Sequence, residues 1–235
     1  MVSWKHIPEP SDNAVELIQW LASRNFFAVD ASGSTTWNSV LESERSFVEA
    51  VHRHPEDHIA KWDSSCDKST NDLSSVTWRA DKGGTSPSSI LKDVATLERI
   101  HKSDAWFLLT DGQVFDREVN EPAELAMEKG VLDVPVVFVI TGYRGSTPET
   151  TDISVGISFF ANSQDTLILF KEVQTGKIYI IGAKGCFAAL VSTSSSRNLA
   201  RWDELAKFKN EKEFFEHCET LDLSIPKYEA RGNLP

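Results

Sequence analysis

Cysteine is scarce: Cys66, Cys186 and Cys218 are the only three in 235 residues. An odd count without CxxC spacing excludes a disulfide framework and a thiol-rich zinc site, and fits a reducing compartment. Long apolar runs are missing as well. The most hydrophobic window, VLDVPVVFVI at 131–140, is half the ~20 residues of a membrane span, and Asp133 and Pro135 interrupt it. The opening MVSWKHIPEPSDNAVELIQW places Glu9, Asp12 and Glu16 where an export signal needs unbroken apolar residues. The expectation is a cytoplasmic chain with no membrane partner. Positive charge is in deficit, 24 Lys+Arg against 35 Asp+Glu for a net −11, and the basic residues form no stripe. That balance disfavours nucleic acid and anionic lipid as partners. There is no GxSxG elbow, Walker loop or GxGxxG fingerprint, so serine hydrolase, nucleotide hydrolase and dinucleotide-binding classes have no positive support.

What is present is an apolar fraction of 40%, enough for a real core, at a length that fits one domain over residues 1–235. Ser11 caps a first predicted helix with Val15, Ile18 and Leu21 on one side, leading into the strand NFFAV at 25–29. Val40, Leu41, Phe47, Val48 and Val51 recur at helical spacing up to His54, where Pro55 stops the helix. HIAKW at 58–62 reads as a strand, 63–77 as a polar loop, and VTWRA at 76–80 as a short edge strand. Ile90, Leu91, Val94, Leu97 and Ile100 predict one amphipathic helix before the strand AWFLLT at 105–110. Asn120 and Gly130 bracket the next helix, and VPVVFVI at 134–140 is a fully apolar strand.

The later third is less regular. ISVGISFFA at 153–161 precedes TLILFKEV and KIYIIGA, which read as a hairpin around Gln174, Thr175 and Gly176 that extends the sheet. A C-terminal helical region is expected over 198–220, beginning with Leu199, Trp202, Leu205 and Phe208 and capped again at Asn210 with Glu213. Continuous apolar strands separated by helices indicate a parallel sheet covered on both faces. The fold class is therefore α/β, a three-layer Rossmann-like sandwich with its core over about 22–190 and an extra C-terminal hairpin.

In such a sheet the loops at the carboxyl ends of the strands converge on one crevice. Three of them carry unusual residues: DASGS with Asp30, Ser32 and Ser34, DKGGTSP with Thr85, and LLTDGQV with Asp111. Two carboxylates and three hydroxyls make a set of hard oxygen ligands, which suits magnesium in octahedral coordination with several retained waters. Gly33 lets the backbone bend between the serines.

The order Asp-x-Ser-Gly-Ser, Gly-Gly-Thr, Thr-Asp-Gly resembles the von Willebrand factor type A domain, or integrin I-like domain, with its metal-ion-dependent adhesion site. The resemblance implies a mostly parallel sheet with one antiparallel edge strand, helices on both faces and a divalent cation, Mg2+ or else Mn2+ or Ca2+. It implies that Ser32 and Ser34 bind the metal directly, Asp30 mainly through water, and that Thr85 and Asp111 exchange direct and water-mediated roles. The implied partner is a protein that contributes an Asp or Glu carboxylate to the metal. The spacing from Asp30 to Thr85 is short for the family, so a helix before the threonine loop is missing, and the hairpin near 166–182 is not a family hallmark.

Other readings stand beside this one. A metal-dependent hydrolase, phosphoesterase-like, could use the same crevice, but a haloacid-dehalogenase nucleophile needs an acid two residues on, where this chain has Ser32. The domain could also serve as a scaffold in a larger chain. HRHPEDH, with His52, His54, Glu56 and His58, invites zinc but reads better as a solvated helix terminus, because His52 and His54 point to different faces. Trp37 reads first as core and second as an aromatic surface beside a bound ligand.

Overall fold

The computed structural model describes residues 16–37, 39–80, 83–191 and 202–227. In chain order the strands are β1 (Glu16–Gln19), β2 (Asn25–Asp30), β3 (His58–Trp62), β4 (Ala105–Thr110), β5 (Val136–Gly142), β6 (Thr166–Glu172), β7 (Ile178–Lys184), β8 (Lys207–Phe208) and β9 (Ser224–Lys227). The helices are α1 (Val40–Val51), α2 (Ser88–Lys92), α3 (Val94–Lys102), α4 (Glu121–Glu128), α5 (Ser154–Asn162) and α6 (Glu211–Thr220). Seven strands form one sheet in the order β3-β2-β4-β5-β6-β7-β8, parallel from β3 through β6 and antiparallel at β7 and β8. β1 and β9 make a separate antiparallel pair. This is a mixed α/β, Rossmann-like architecture.

Strand alternation builds the layers. Phe27, Val29, Phe107, Leu109, Val137 and Val139 face α1, α6 and the β1/β9 pair, while Phe26, Ala28, Trp106, Leu108, Val136 and Phe138 face α2 to α5. Side chains on successive strand residues point to opposite faces, so strands buried on both sides must be apolar throughout. The chain steps from β2 outward to β3, then returns to place β4 on the other side of β2, so the order reverses between β2 and β4. In open α/β sheets the loops leaving such strands part at the switch point, which is where ligands bind.

Several local expectations give way to tertiary contacts. The first predicted helix is instead β1 followed by a 3-10 turn over Trp20–Ala22; Ser11 and Val15 lie outside the described residues. Pairing with β9, in the register Ile18↔Ile225, overrides the helical spacing. VTWRA forms no strand, because the outer edge of β3 is already taken: Ile59 and Thr70 exchange backbone hydrogen bonds, and Asp67 N–H donates to Lys61. The helix expected across 90–100 breaks into α2 and α3 where Asp93 turns extended and its carboxylate accepts the Thr96 N–H as a cap. ISVGISFFA folds as α5.

The region 198–220 is helical only in part. Leu199 lies outside the described residues, Trp202–Glu204 is a 3-10 turn, and Lys207–Phe208 pairs with β7. The second cap forms as the spacing indicates, with Asn210 accepting from the Glu213 N–H at the start of α6. The hairpin β6/β7 also forms as expected and supplies the antiparallel strand. Between β3 and Thr85 no α-helix intervenes, only a 3-10 turn over Leu73–Ser75 among the described residues.

Candidate metal centre

β2 ends at Asp30, and its carboxylate is held from two sides. Ser32 N–H donates to Oδ1 at 2.8 Å, folding the loop back on the strand, and the Thr110 hydroxyl from the end of β4 donates to Oδ2 at 2.8 Å. Asp30 is fully buried. The next turn, a 3-10 segment over Gly33–Thr36, brings the Ser32 and Ser34 hydroxyls to 2.9 Å from one another. Magnesium–oxygen bonds of 2.0–2.1 Å at right angles separate neighbouring ligands by about 2.9 Å. The two hydroxyls hydrogen-bond to one another, and the length of that bond coincides with the spacing of adjacent octahedral positions.

Thr85 reaches this turn through the backbone. Gly33 N–H donates to the Gly83 carbonyl at 3.1 Å, which docks the threonine loop against the serine loop, and Thr85 is 8% exposed. A Cβ at Gly83 would lie 2.0 Å from Asp63 Oδ2, so any larger residue there would push the Asp63 side chain aside. Asp111 follows β4 and is also buried. Its carboxylate accepts the Gln113 N–H at 2.9 Å and the Tyr143 hydroxyl at 2.6 Å. Gly112 takes φ +79°, a conformation that favours glycine.

The charges of these acids reach one another. Burial, then the proximity of Asp111, pushes Asp30 up to about 7, against the hydrogen bonds from Ser32 and Thr110 that favour its ionised form. Glu44 on α1 is fully buried and held well above the ordinary carboxylate range by burial and then by Asp30 and Asp111. Burial and the Asp111 carboxylate also raise Tyr143, which keeps its phenol a permanent donor. All five residues singled out in the sequence therefore lie on loops around the switch point. The donor set suits a hard divalent cation: Ser32, Ser34 and Thr85 offer neutral oxygens, and Asp30 and Asp111 negative ones.

Sequence reasoning missed Tyr143 and Glu44. Tyr143 carries no local signal, since it lies in a polar loop whose place is set by β5. Glu44 did leave one: it stands four residues after Val40 and three before Phe47, an acid at a core position of an otherwise apolar helix face.

Other candidates resolve differently. In HRHPEDH the organising residue is Asp57, whose carboxylate accepts the N–H groups of Asn25, Arg53 and His54, while His54 accepts the Glu56 N–H. Among the described residues no group of three or more His, Cys, Asp and Glu could hold a metal on its own. Trp37 is not core; it is 68% exposed. Burial pushes the Cys66 and Cys218 thiols up to about 11 and about 12, out of reach of thiolate chemistry near neutral pH. No helix among the described residues is long and apolar enough to cross a membrane.

No family model matches the chain. Among curated proteins it is similar to "Uncharacterized protein R626" of Acanthamoeba polyphaga mimivirus, 28% identical over 157 residues that make up 64% of this chain. The match spans one quarter (25%) of the viral protein's length. Among solved structures it is similar to an aerotolerance-related membrane protein from Bacteroides fragilis NCTC 9343, crystallised with multiple mutations to serines, at 12% identity and a TM-score of 0.36 over 84% of this chain and 86% of that one. That superposition is loose, and the site stands on its own residues.

Proposed function

We propose that the crevice between the ends of β2 and β4 binds a divalent cation through Asp30, Ser32, Ser34, Thr85 and Asp111. In this reading the cation joins the chain to an Asp or Glu of a protein partner, in the manner of a von Willebrand factor type A module. The support comes chiefly from one observation, the 2.9 Å separation of the Ser32 and Ser34 hydroxyls beside buried Asp30.

When bound, the cation supplies a positive centre to which an outside carboxylate can attach. The chain's own residues do the rest. Ser32 N–H and Thr110 fix the Asp30 carboxylate, Tyr143 and Gln113 fix that of Asp111, and the Gly33–Gly83 bond sets the threonine loop. Around the crevice, the loops after β2 and β4 also present Trp37 and Phe115, 68% and 62% exposed, with the Arg117 guanidinium 5.7 Å from the Phe115 ring centre. Exposed aromatics and an arginine are the residue types that dominate binding energy at protein interfaces.

Isothermal titration of Mg2+ and Mn2+ into wild type and Asp111→Ala, with a small carboxylate present, tests the reading. Binding that disappears in the variant supports it. Equal binding by both proteins, or binding by neither, overturns it.

A further inference from the structure

Glu44 lies in the second turn of α1, is fully buried, and has no hydrogen-bond partner at either carboxylate oxygen among the described residues. The charges that reach it are Asp30 and Asp111 at the candidate cation site and Lys171 on β6. Lys171 is already engaged: its ammonium donates to the Ser43 carbonyl and pairs with Glu211. Thr141, near the end of β5, turns a buried hydroxyl toward the Glu44 carboxylate and favours its charged form, yet neither group reaches full hydrogen-bond geometry among the described residues. Two orphaned polar groups from different elements thus converge beside Asp30 and Asp111.

Such groups are rare because each unsatisfied buried polar atom is destabilising, and a buried carboxylate more so. An apolar side chain at position 44 would complete the helix face formed by Val40, Leu41, Phe47 and Val48. We infer that Glu44 stands behind the ligands of the cation site, its oxygens reached through cation-held water shared with Thr141. This inference rests on the proposed cation site and enlarges it. Buried water normally makes two to four hydrogen bonds to groups otherwise left unsatisfied, which is the environment that Glu44 and Thr141 provide. A layer of this kind tunes a metal through the partners of its ligands, and removing one typically weakens metal affinity about 10- to 100-fold.

The test is Mn2+ titration of the full chain, wild type, Glu44→Gln, Thr141→Val and Asp111→Ala, with urea unfolding in EDTA to verify folding. Glu44→Gln preserves shape while removing the charge, and it should weaken Mn2+ binding at least about 10-fold without loss of stability in EDTA. Thr141→Val should weaken binding in the same direction by a smaller factor, and it decides the matter if Glu44→Gln fails to fold. Mn2+ affinity within twofold of wild type for these variants, with Asp111→Ala abolishing it, overturns the inference and leaves the five-residue site standing. Retention of binding by Asp111→Ala overturns the site reading and this inference together.

Discussion

Replacing Asp30 by Asn should stabilise the metal-free protein while destroying the site. The folded chain holds this carboxyl at about 7 against an ordinary value of 3.8. Below pH 4 both folded and unfolded chains keep the proton, and the group contributes no difference. Between about pH 4 and 7 the unfolded chain has released a proton that the folded one retains, so folding stability falls as pH rises. Above about 7 the full deficit is present. At roughly 1.4 kcal/mol per pH unit, its ceiling is about 4 kcal/mol.

Asparagine recovers only part of this. Its carbonyl can still accept the Ser32 N–H, but its amide faces the Thr110 hydroxyl, which already accepts the Gly112 N–H and would leave its own hydrogen unbonded. Losing one charge-assisted hydrogen bond removes about 1.5–3 kcal/mol, which leaves a net gain of about 2 kcal/mol. For a chain of this size that raises Tm by about 4–8 °C. Urea unfolding in EDTA at pH 8.5 and at pH 5 measures it. The gain should be present at pH 8.5 and nearly absent at pH 5, where only about 1.5 kcal/mol of the deficit has accrued and the lost hydrogen bond offsets it. A variant less stable than wild type at pH 8.5, or a gain independent of pH, refutes the reasoning.

Asp57→Ala should destabilise the fold by about 3 kcal/mol or more, because three backbone donors lose a buried acceptor; urea unfolding at pH 7 reads it. Gly112→Ala should both destabilise the fold and weaken Mn2+ binding, since φ is +79° and the added Cβ would meet the Asp152 carbonyl at 2.2 Å, shifting Asp111; unchanged affinity and Tm would contradict this. Trp37→Ala should leave stability within about 0.5 kcal/mol, as expected for an exposed side chain, yet weaken capture of a carboxylate-bearing partner in a pull-down compared with Mg2+-loaded wild type. Equal capture would remove Trp37 from the binding surface.

The sequence made the inner sheet legible because strands buried on both faces leave a continuous apolar run. β2, β4 and β5 are read almost to the residue for that reason. The five candidate residues stood out because three short motifs fell at strand ends. Elements at the periphery were not. The residues of β1 carry helical spacing, and only the partner strand β9, some two hundred residues away, decides between helix and strand. Likewise 76–80 has strand-like composition, but hydrogen bonds from Asp67 and Thr70 fill the edge it would have used. Glu44 was passed over because a reading by apolar periodicity discards the polar residue on the apolar face, although such a residue is the more informative one.

The treatment of other buried acids separates a structural from a ligand-binding role at this crevice. Asp104, 8% exposed, accepts from Nε and Nη2 of Arg24 at 3.1 and 2.9 Å and from the Arg24 backbone N–H as well. Asp57 receives three backbone N–H groups, and burial still holds its carboxyl above the ordinary range. This chain therefore has the means to neutralise or cradle an acid that it buries. At the switch point it does neither fully: Asp30 and Asp111 accept only neutral donors, Glu44 faces the Thr141 hydroxyl and the more distant charge of Lys171, and Lys171 itself is paired with Glu211 and donates to the Ser43 carbonyl. Three acids gathered without a paired cation are destabilising by themselves. Their gathering at the place where the strand order reverses is what the proposed cation would balance.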